Sequence, residues 1–428
     1  LWLPPAHNER LTVATLTRLR TLLQQGATIL GRAPLLNASL VGGPAAEQEF
    51  ASLVRELWGE TDTPRGDRAI GRGRLVWGES LDATLPRLGF VPDVIGASAA
   101  SWCHRSADGT EIYFVAADRR FPLHANLSFR AHGQPELWDP LTGTSSLVAV
   151  FNRQANHTSV PLDLPAAGSV FVIFRPNSRP PAFTSVSRDS VTLLDARDSG
   201  RVEHSVPLSI QGLKQGEVLQ PWVQPEPLSH AFLDGGKQLL AWTPGRYVLH
   251  RPDESTVTIA ASEPRTVPVT GPWTLSFPVG WDTPAEVALP SVGPWSSLAD
   301  PATRAFSGTA TYRCSVDLAA LDSSTRVMLD LGRVAVIATV SVNGHTVTTL
   351  WGPPFRTDIT PQLKPGANQL EIKVTNTWFN RLVYDDSLPA EKRKTWTIGS
   401  PAKTAPLELA GLIGPVVLHL GTVHPIPQ

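Results

Sequence analysis

FSGTATYRCSVDLAALDSSTRVMLDLGRVAVIATVSVNGHTVTTLWGPPFRTDITPQLKPGANQLEIKVTNTWFNRLVYDD, from Phe306 to Asp386, decides how this chain is read. Between Thr309 and Val316 the apolar residues Tyr312, Cys314 and Val316 fall at every second position, the period of a strand with one buried face. Val327, Leu329 and Leu331 repeat the pattern. Val334 to Val342 is rich in β-branched residues, and Asn343-Gly344 then turns the chain into Thr346 to Leu350. An Asn-Gly pair between two such runs predicts a tight hairpin. Lys364-Pro365-Gly366 marks another turn, and Gln369 to Thr375 another alternating strand. Short strands at regular spacing with almost no helical period predict a two-sheet sandwich or jelly roll.

Working outward, the segment before Val91 is the only one with a clear helical period. Leu11, Leu16, Leu19, Leu22 and Leu23 line one face of a helix over Thr12 to Gln25, which Gly26 ends. Ala27 to Leu30 and Gly73 to Trp77 read as strands, Ala51 to Trp58 and Glu79 to Leu88 as helices, and the alternation predicts a parallel α/β sheet. From Asp93 to Pro181 the period changes to two. Strands are expected over Glu111–Ala116, Ala125–Ala131, Pro135–Trp138, Ser146–Phe151, Thr158–Leu162 and Ser169–Arg175. Residues 182–265 are β-rich but less regular, either an intermediate layer or an extension of the last module. The expected organisation is 1–92 α/β, 93–181 β-sandwich, 182–265 intermediate and 266–428 jelly roll: a multidomain, mainly β chain. The opening LWLPP reads as the end of a strand already under way, so the chain is expected to be the C-terminal piece of a larger protein.

Composition excludes several classes. With 37 basic and 38 acidic residues the formal net charge is -1, and no basic footprint for nucleic acid exists. No apolar run approaches the ~20 residues of a membrane-spanning helix. Cys103 and Cys314 fall in different predicted modules and are expected as two buried free thiols. No Cys/His spacing resembles a zinc site. Gly71 and Gly73 do not make G-x-G-x-x-G, because Val76 occupies the third position and the run precedes a strand.

The residues also carry a resemblance. FSGTATY, LDLGRV, VSVNG and PPFRTDITPQLKPGANQLEIKVTN resemble the sugar-binding, galactose-binding-like jelly roll of family 2 type glycoside hydrolases. NTWFNRLVYDDSLP, with CHRSADGTEIYFVA, PELWDPLTG and GSVFVIFRP upstream, resembles the C-terminal half of α-L-rhamnosidases of glycoside hydrolase family 106. LTVATLTRLRTLLQQGATILGRAP and RELWGE resemble the partial flavodoxin-like module that comes after the barrel there. The resemblance implies a rhamnose-containing glycan as partner, a catalytic barrel upstream in the same protein, no required cofactor, a possible structural calcium, and a secreted or periplasmic, bacterial-type location.

Glycoside hydrolysis needs two carboxyl groups across the scissile bond, ~5–5.5 Å apart for retention or ~6.5–9.5 Å for inversion. Asp385-Asp386, Asp253-Glu254 and Glu391 are candidates by default only, and neighbours on a regular strand point to opposite faces. In the resembled enzymes the catalytic pair belongs to the barrel, so no catalytic residue is assigned. Sugar recognition uses an aromatic face for C–H surface and Asn, Asp or Arg for hydroxyls. Trp378, Asn380, Arg381, Tyr384 and Asp385 supply both within eight residues, although core packing and an Arg381–Asp385 or Arg381–Asp386 pair are the structural alternative. Trp351, Phe355 and Arg356 form a second cluster. His104 and Arg105 form a third, for which backbone bonding at a domain junction is the alternative. Two main readings remain: an accessory half of a rhamnosidase-like hydrolase, or a self-standing carbohydrate-binding or scaffold protein. Autonomous hydrolysis by Asp385 or Asp386 is the weakest.

Overall fold

The computed structural model describes residues 1–4, 9–59, 64–118, 121–176, 181–198, 202–203, 228–262, 264–399 and 401–427. Pro5 of the opening LWLPP and most of 199–227 in the intermediate segment lie outside them. The chain divides into two compact units, Leu1–Pro92 and Asp93–Gln428.

In the first unit the Thr12 hydroxyl accepts from the Thr15 N–H at 3.2 Å and caps the helix Val13–Gln24. Leu16, Leu19 and Leu23 are buried on its inner face. The second helix, Gly43–Trp58, is twice as long as its apolar face suggested, because its first half is exposed Ala, Glu and Gln without an apolar period. Phe50, Leu53, Val54, Leu57 and Trp58 complete the core. Thr28–Leu30 and Gly73–Trp77 pair in parallel, as alternation predicts. The sheet is nevertheless mixed. Gly66–Ile70, a largely polar run without strand signal, pairs antiparallel with Gly73–Trp77 across the two-residue turn Gly71-Arg72. A turn that short permits only an antiparallel partner, since a parallel one needs a crossover of about a dozen residues. A fully parallel flavodoxin-like sheet is therefore not what these residues form.

The second unit begins with an antiparallel sandwich. One sheet runs Ser145–Leu147, Gln134–Trp138, Ser169–Arg175, Thr110–Ala117, Ala100–Ala107. The other runs Asn152–Arg153, Thr158–Leu164, Leu123–Phe129, Val202–Glu203. Alternate residues Tyr113 and Val115, and Val170, Val172 and Phe174, fill the space between them. The strand Ala100–Ala107 lacks a clean apolar alternation because it is a sheet edge. Cys103 on that edge is exposed, not buried as expected; Cys314 is buried, and both thiols are free.

The intermediate segment is divided among three assemblies, since Val202–Glu203 belongs to the first sandwich. Val191–Asp195, Ser185–Arg188, Gly245–His250 and Thr256–Ala261 make their own sheet, whose buried Phe183, Val186, Tyr247, Leu249 and Ile259 share a core with Ala149, Val150 and Ile426. His230–Leu233, Gln238–Ala241 and Arg265–Pro268 instead join the final sandwich through Val417–Pro425.

That final sandwich packs two antiparallel sheets. The first has the order Glu286–Leu289, Trp273–Ser276, Thr309–Leu318, Gly366–Thr375, Ile337–Val342, His345–Leu350. The second carries Val417–Pro425, Thr325–Asp330 and Arg356–Asp358 beside the intermediate strands. The Asn343-Gly344 hairpin has both residues at positive φ, 51° and 82°, as the two-residue loop requires. The core centres on Trp273, Trp295, Phe306 and Tyr312, all buried. The Tyr312 hydroxyl donates to the Gly293 carbonyl (2.9 Å) and accepts from the Leu412 N–H (3.2 Å). Gly411, at φ 115°, lets the chain pass there, since a Cβ would stand 2.4 Å from that hydroxyl.

Tyr312→Phe leaves a buried carbonyl and a buried N–H without partners. It is expected to destabilise the second unit by about 1–3 kcal/mol, read as a lower urea midpoint.

Candidate carbohydrate-contact site

The stretch after Thr375 is where structure departs most from sequence. Phe379–Asp386 is an α-helix, set inside an otherwise β module. Asn376 positions its start: its side-chain carbonyl accepts from Gly308 N–H (2.8 Å) and its amide donates to the Phe306 carbonyl (3.1 Å). The Arg381 N–H donates to the Ser307 hydroxyl at 3.1 Å. Asn380 clasps the Glu408 backbone with two bonds of 2.8 Å, one donated and one accepted.

Arg381 is 0 % exposed and Asp385 2 %. Arg381 Nη2 stands 2.8 Å from Asp385 Oδ1, one helical turn apart, without hydrogen-bond alignment. Asp385 Oδ2 accepts from the Lys394 N–H (3.0 Å), the Thr395 N–H (2.7 Å) and the Thr395 hydroxyl (2.6 Å). Burial alone pushes this carboxyl up, but the Thr395 hydroxyl, Arg381 and the Lys394 N–H outweigh it and hold it below the usual carboxylate range. The guanidinium lies between two aromatic faces, 5.5 Å from the Trp281 centroid and 5.3 Å from that of Tyr384. Of the five side chains proposed for sugar contact here, Asn380, Arg381 and Asp385 are thus buried and committed to the interior. Tyr384 is half-buried, and Trp378 is 54 % exposed.

Asp385 and Asp386 do not behave as a catalytic couple. On a helix their side chains diverge by about 100°. This geometry differs from that of a strand, but it too keeps the two carboxylates from facing one sugar. Asp386 faces Arg393 at 3.6 Å, and Asp385, held ionised, has no proton to give.

The second cluster splits as well. Phe355 belongs to the core, Trp351 is exposed, and Arg356 Nε donates to Asp330 Oδ2 at 2.7 Å. Asp330 also accepts from the Gly332 N–H (2.8 Å), with His419 Nε2 at 3.5 Å. In the third cluster His104 sits between two carboxylates, Nε2 2.6 Å from Glu111 and Nδ1 3.3 Å from Asp93, and stacks on Tyr113 with centroids 4.1 Å apart. Arg130 Nε binds the same Asp93 at 2.8 Å, and Arg105 donates to the His104 carbonyl at 2.7 Å. That backbone bond is the structural alternative weighed for Arg105. Among the described residues no group of three or more His, Cys, Asp or Glu is gathered as metal ligands, so no acidic ligand set for a calcium is found there. No helix among them is long and apolar enough to cross a membrane.

Sequence reasoning missed Trp281 and Asp282. Trp281 packs against Trp378 (centroids 5.7 Å, 44°) and edge-on to Phe306 (5.8 Å, 89°). Asp282 Oδ1 lies 3.3 Å from Lys394 Nζ. Nearly a hundred residues separate Trp281 from Trp378, and no local pattern links them.

Removing either member of the Arg381–Asp385 pair strands the other in the interior. Asp385→Asn is expected to cost about 3–5 kcal/mol near neutral pH, while the double change Arg381→Met/Asp385→Leu costs less than the sum of its singles. Because the folded carboxyl lies below its unfolded value of about 3.9, its stabilisation is full above that pH and fades as pH falls through the folded value. Urea titrations at stepped pH should therefore show wild type and Asp385→Asn converging in acid.

Comparison with known proteins places this geometry. Residues 1–152 match the family model for α-L-rhamnosidase, glycoside hydrolase family 106, and residues 301–405 that for the galactose-binding domain-like module of glycosyl hydrolase family 2. The chain superposes on a rhamnosidase structure from Novosphingobium sp. PP1Y with a TM-score of 0.71 and 29% identity, over 98% of this chain and 33% of that one. A curated protein of Formosa agariphila with a provisional β-glucuronidase name is 41% identical over 136 residues, 31% of this chain and 12% of that protein. The chain thus spans a third or less of the length of either. Its N-terminal third is similar to α-L-rhamnosidases of glycoside hydrolase family 106, and residues 301–405 of its C-terminal sandwich to the galactose-binding-like module of family 2 glycoside hydrolases.

Proposed function

We propose that this chain is the accessory, C-terminal region of an α-L-rhamnosidase-like glycoside hydrolase that acts on rhamnose-containing glycans. The observation that carries the reading is the superposition of nearly the whole chain on one third of a rhamnosidase. Function still has to be argued from a site, because β-sandwiches host many activities. Here the proposed carboxylates argue for a supporting role: Asp385 is buried and ionised, and Asp386 faces Arg393. The catalytic pair is assigned to a barrel upstream in the same protein, and the whole is assigned to the secreted or periplasmic space. Trp378 and Tyr384, with Trp351, Arg356, His104 and Arg105 as secondary candidates, are the side chains proposed to meet glycan. Asn380, Arg381 and Asp385 contribute by holding the helix that presents the first two.

The test is hydrolysis of an aryl α-L-rhamnoside by residues 1–428 and, in parallel, by a longer protein that includes the upstream region. Turnover confined to the longer protein is expected. Turnover by the 428-residue chain alone would overturn the accessory assignment, and Asp385→Ala and Asp386→Ala would then show whether either carboxylate carries it.

A further inference from the structure

We infer that Trp281 and Trp378 form one stacking shelf for the C–H face of a pyranose in a neutral glycan, with the Asp282 carboxylate and Lys394 ammonium at its rim for ring hydroxyls. The choice of a sugar ligand rests on the function proposed above; the shelf itself rests on geometry. The two indoles lie 5.7 Å apart at 44°, and Trp378 is left 54 % exposed at the start of its helix. A lone exposed Trp needs no explanation, but this one is backed by a second ring that is locked from behind. Trp281 meets the edge of Phe306 at 5.8 Å and carries the Arg381 guanidinium 5.5 Å from its centroid. Such fixed rings lose little freedom when a ligand stacks on them.

Arg381 supplies the second observation. Its side chain is wholly buried, yet Nε and Nη1 have no hydrogen-bond partner. A buried guanidinium with unmet donors is costly in a purely structural role and calls for a reason. Here it serves as a positioning residue: it holds the Trp281 face and draws the nearby carboxylates into place. Asp282, whose side chain is 61 % exposed, lies 4.0 Å from Arg381 Nη2 and 3.3 Å from Lys394 Nζ. Lys394 Nζ in turn donates to the Gly280 carbonyl at 2.7 Å, tying the Trp281 segment to the chain beyond the helix. Two cations, Arg381 and Lys394, balance two anions, Asp282 and Asp385. The Glu408 carboxylate, 3.4 Å from the Thr377 hydroxyl, adds a third anion, so the shelf has no excess of positive charge to favour a uronate or a phosphate, and a neutral sugar fits it best.

The experiment is native affinity electrophoresis of the full 428-residue chain in gels containing a neutral rhamnan, a galactomannan or hydroxyethyl cellulose. Retardation by the rhamnan is expected, weakened about tenfold in Trp378→Ala, as loss of one aromatic contact predicts. Trp378→Leu, which keeps apolar bulk but removes the stacking plane, should behave alike. Asp282→Asn should weaken binding less, and Trp138→Ala, at an exposed indole of the first sandwich, not at all. If only the galactomannan or the cellulose derivative retards the chain, and Trp378→Ala abolishes it, the shelf stands and the rhamnose reading fails. Retardation that survives in both Trp378 variants, or none with any of the three polymers, overturns the shelf, while the hydrolysis comparison continues to judge the accessory role separately. Concentration-dependent self-association lost in Trp378→Ala, without retardation by any polymer, would mark the surface as a protein contact and also overturn the proposal.

Discussion

The ten-residue antiparallel pairing of Thr309–Leu318 with Gly366–Thr375 is the constraint on which the C-terminal half depends. Its register sets Ala310 opposite Val374, Tyr312 opposite Ile372 and Cys314 opposite Leu370, all turned into the core. A slip of one residue would turn every one of these side chains to the other face, so burial fixes the register strongly. The same pairing also sets where the chain goes after the strand. Thr309 ends opposite Thr375, and Asn376, the next residue, closes onto Gly308 and Phe306 at the start of the partner strand. The helix Phe379–Asp386 is thereby launched from a fixed point, with Trp378 at its beginning.

Polar residues are buried here in a consistent way. Asn380, Arg381 and Asp385 use side chains or backbone to satisfy or pair with groups on other segments: the Glu408 backbone, the Ser307 hydroxyl and the Lys394-Thr395 backbone. Asp330 does the same for Gly332 and Arg356 on the second sheet. Ion pairs of this kind add little net stability over apolar packing of equal volume, because desolvation consumes most of the Coulomb gain. What they do provide is a penalty for any arrangement that separates the partners. Around the helix that penalty acts on a segment with few strand hydrogen bonds to define it.

The likeness to rhamnosidases and the geometry of the sandwich bear on different questions. The family match over residues 1–152 covers the α/β unit and part of the first sandwich, neither of which presents a paired set of free carboxylates in the clusters described. The galactose-binding-like match over 301–405 covers the helix that carries Trp378. The accessory role proposed above assumes this division.

Much of the fold was legible because β structure with one buried face writes itself into alternate residues. The run from Tyr312 to Val316, the Asn343-Gly344 turn and the strand ending at Thr375 appear in the structure where the pattern put them. The strands Gly66–Ile70 and Ala100–Ala107 were not legible, since edges and polar runs bury too little to leave a period. The chemical content of the NTWFNRLVYDD stretch was visible as residue types, and so was the alternative that Arg381 pairs with Asp385 or Asp386. Whether those groups face water or the interior was not, because accessibility depends on Ser307, Thr395 and Glu408, which approach from other parts of the chain. Sequence alone therefore determined the module type and its resemblance. Tertiary structure alone decided that Arg381 and Asp385 lie inside and that Trp281 joins Trp378 outside, since long-range packing, and not local pattern, sets which side chains lose their water.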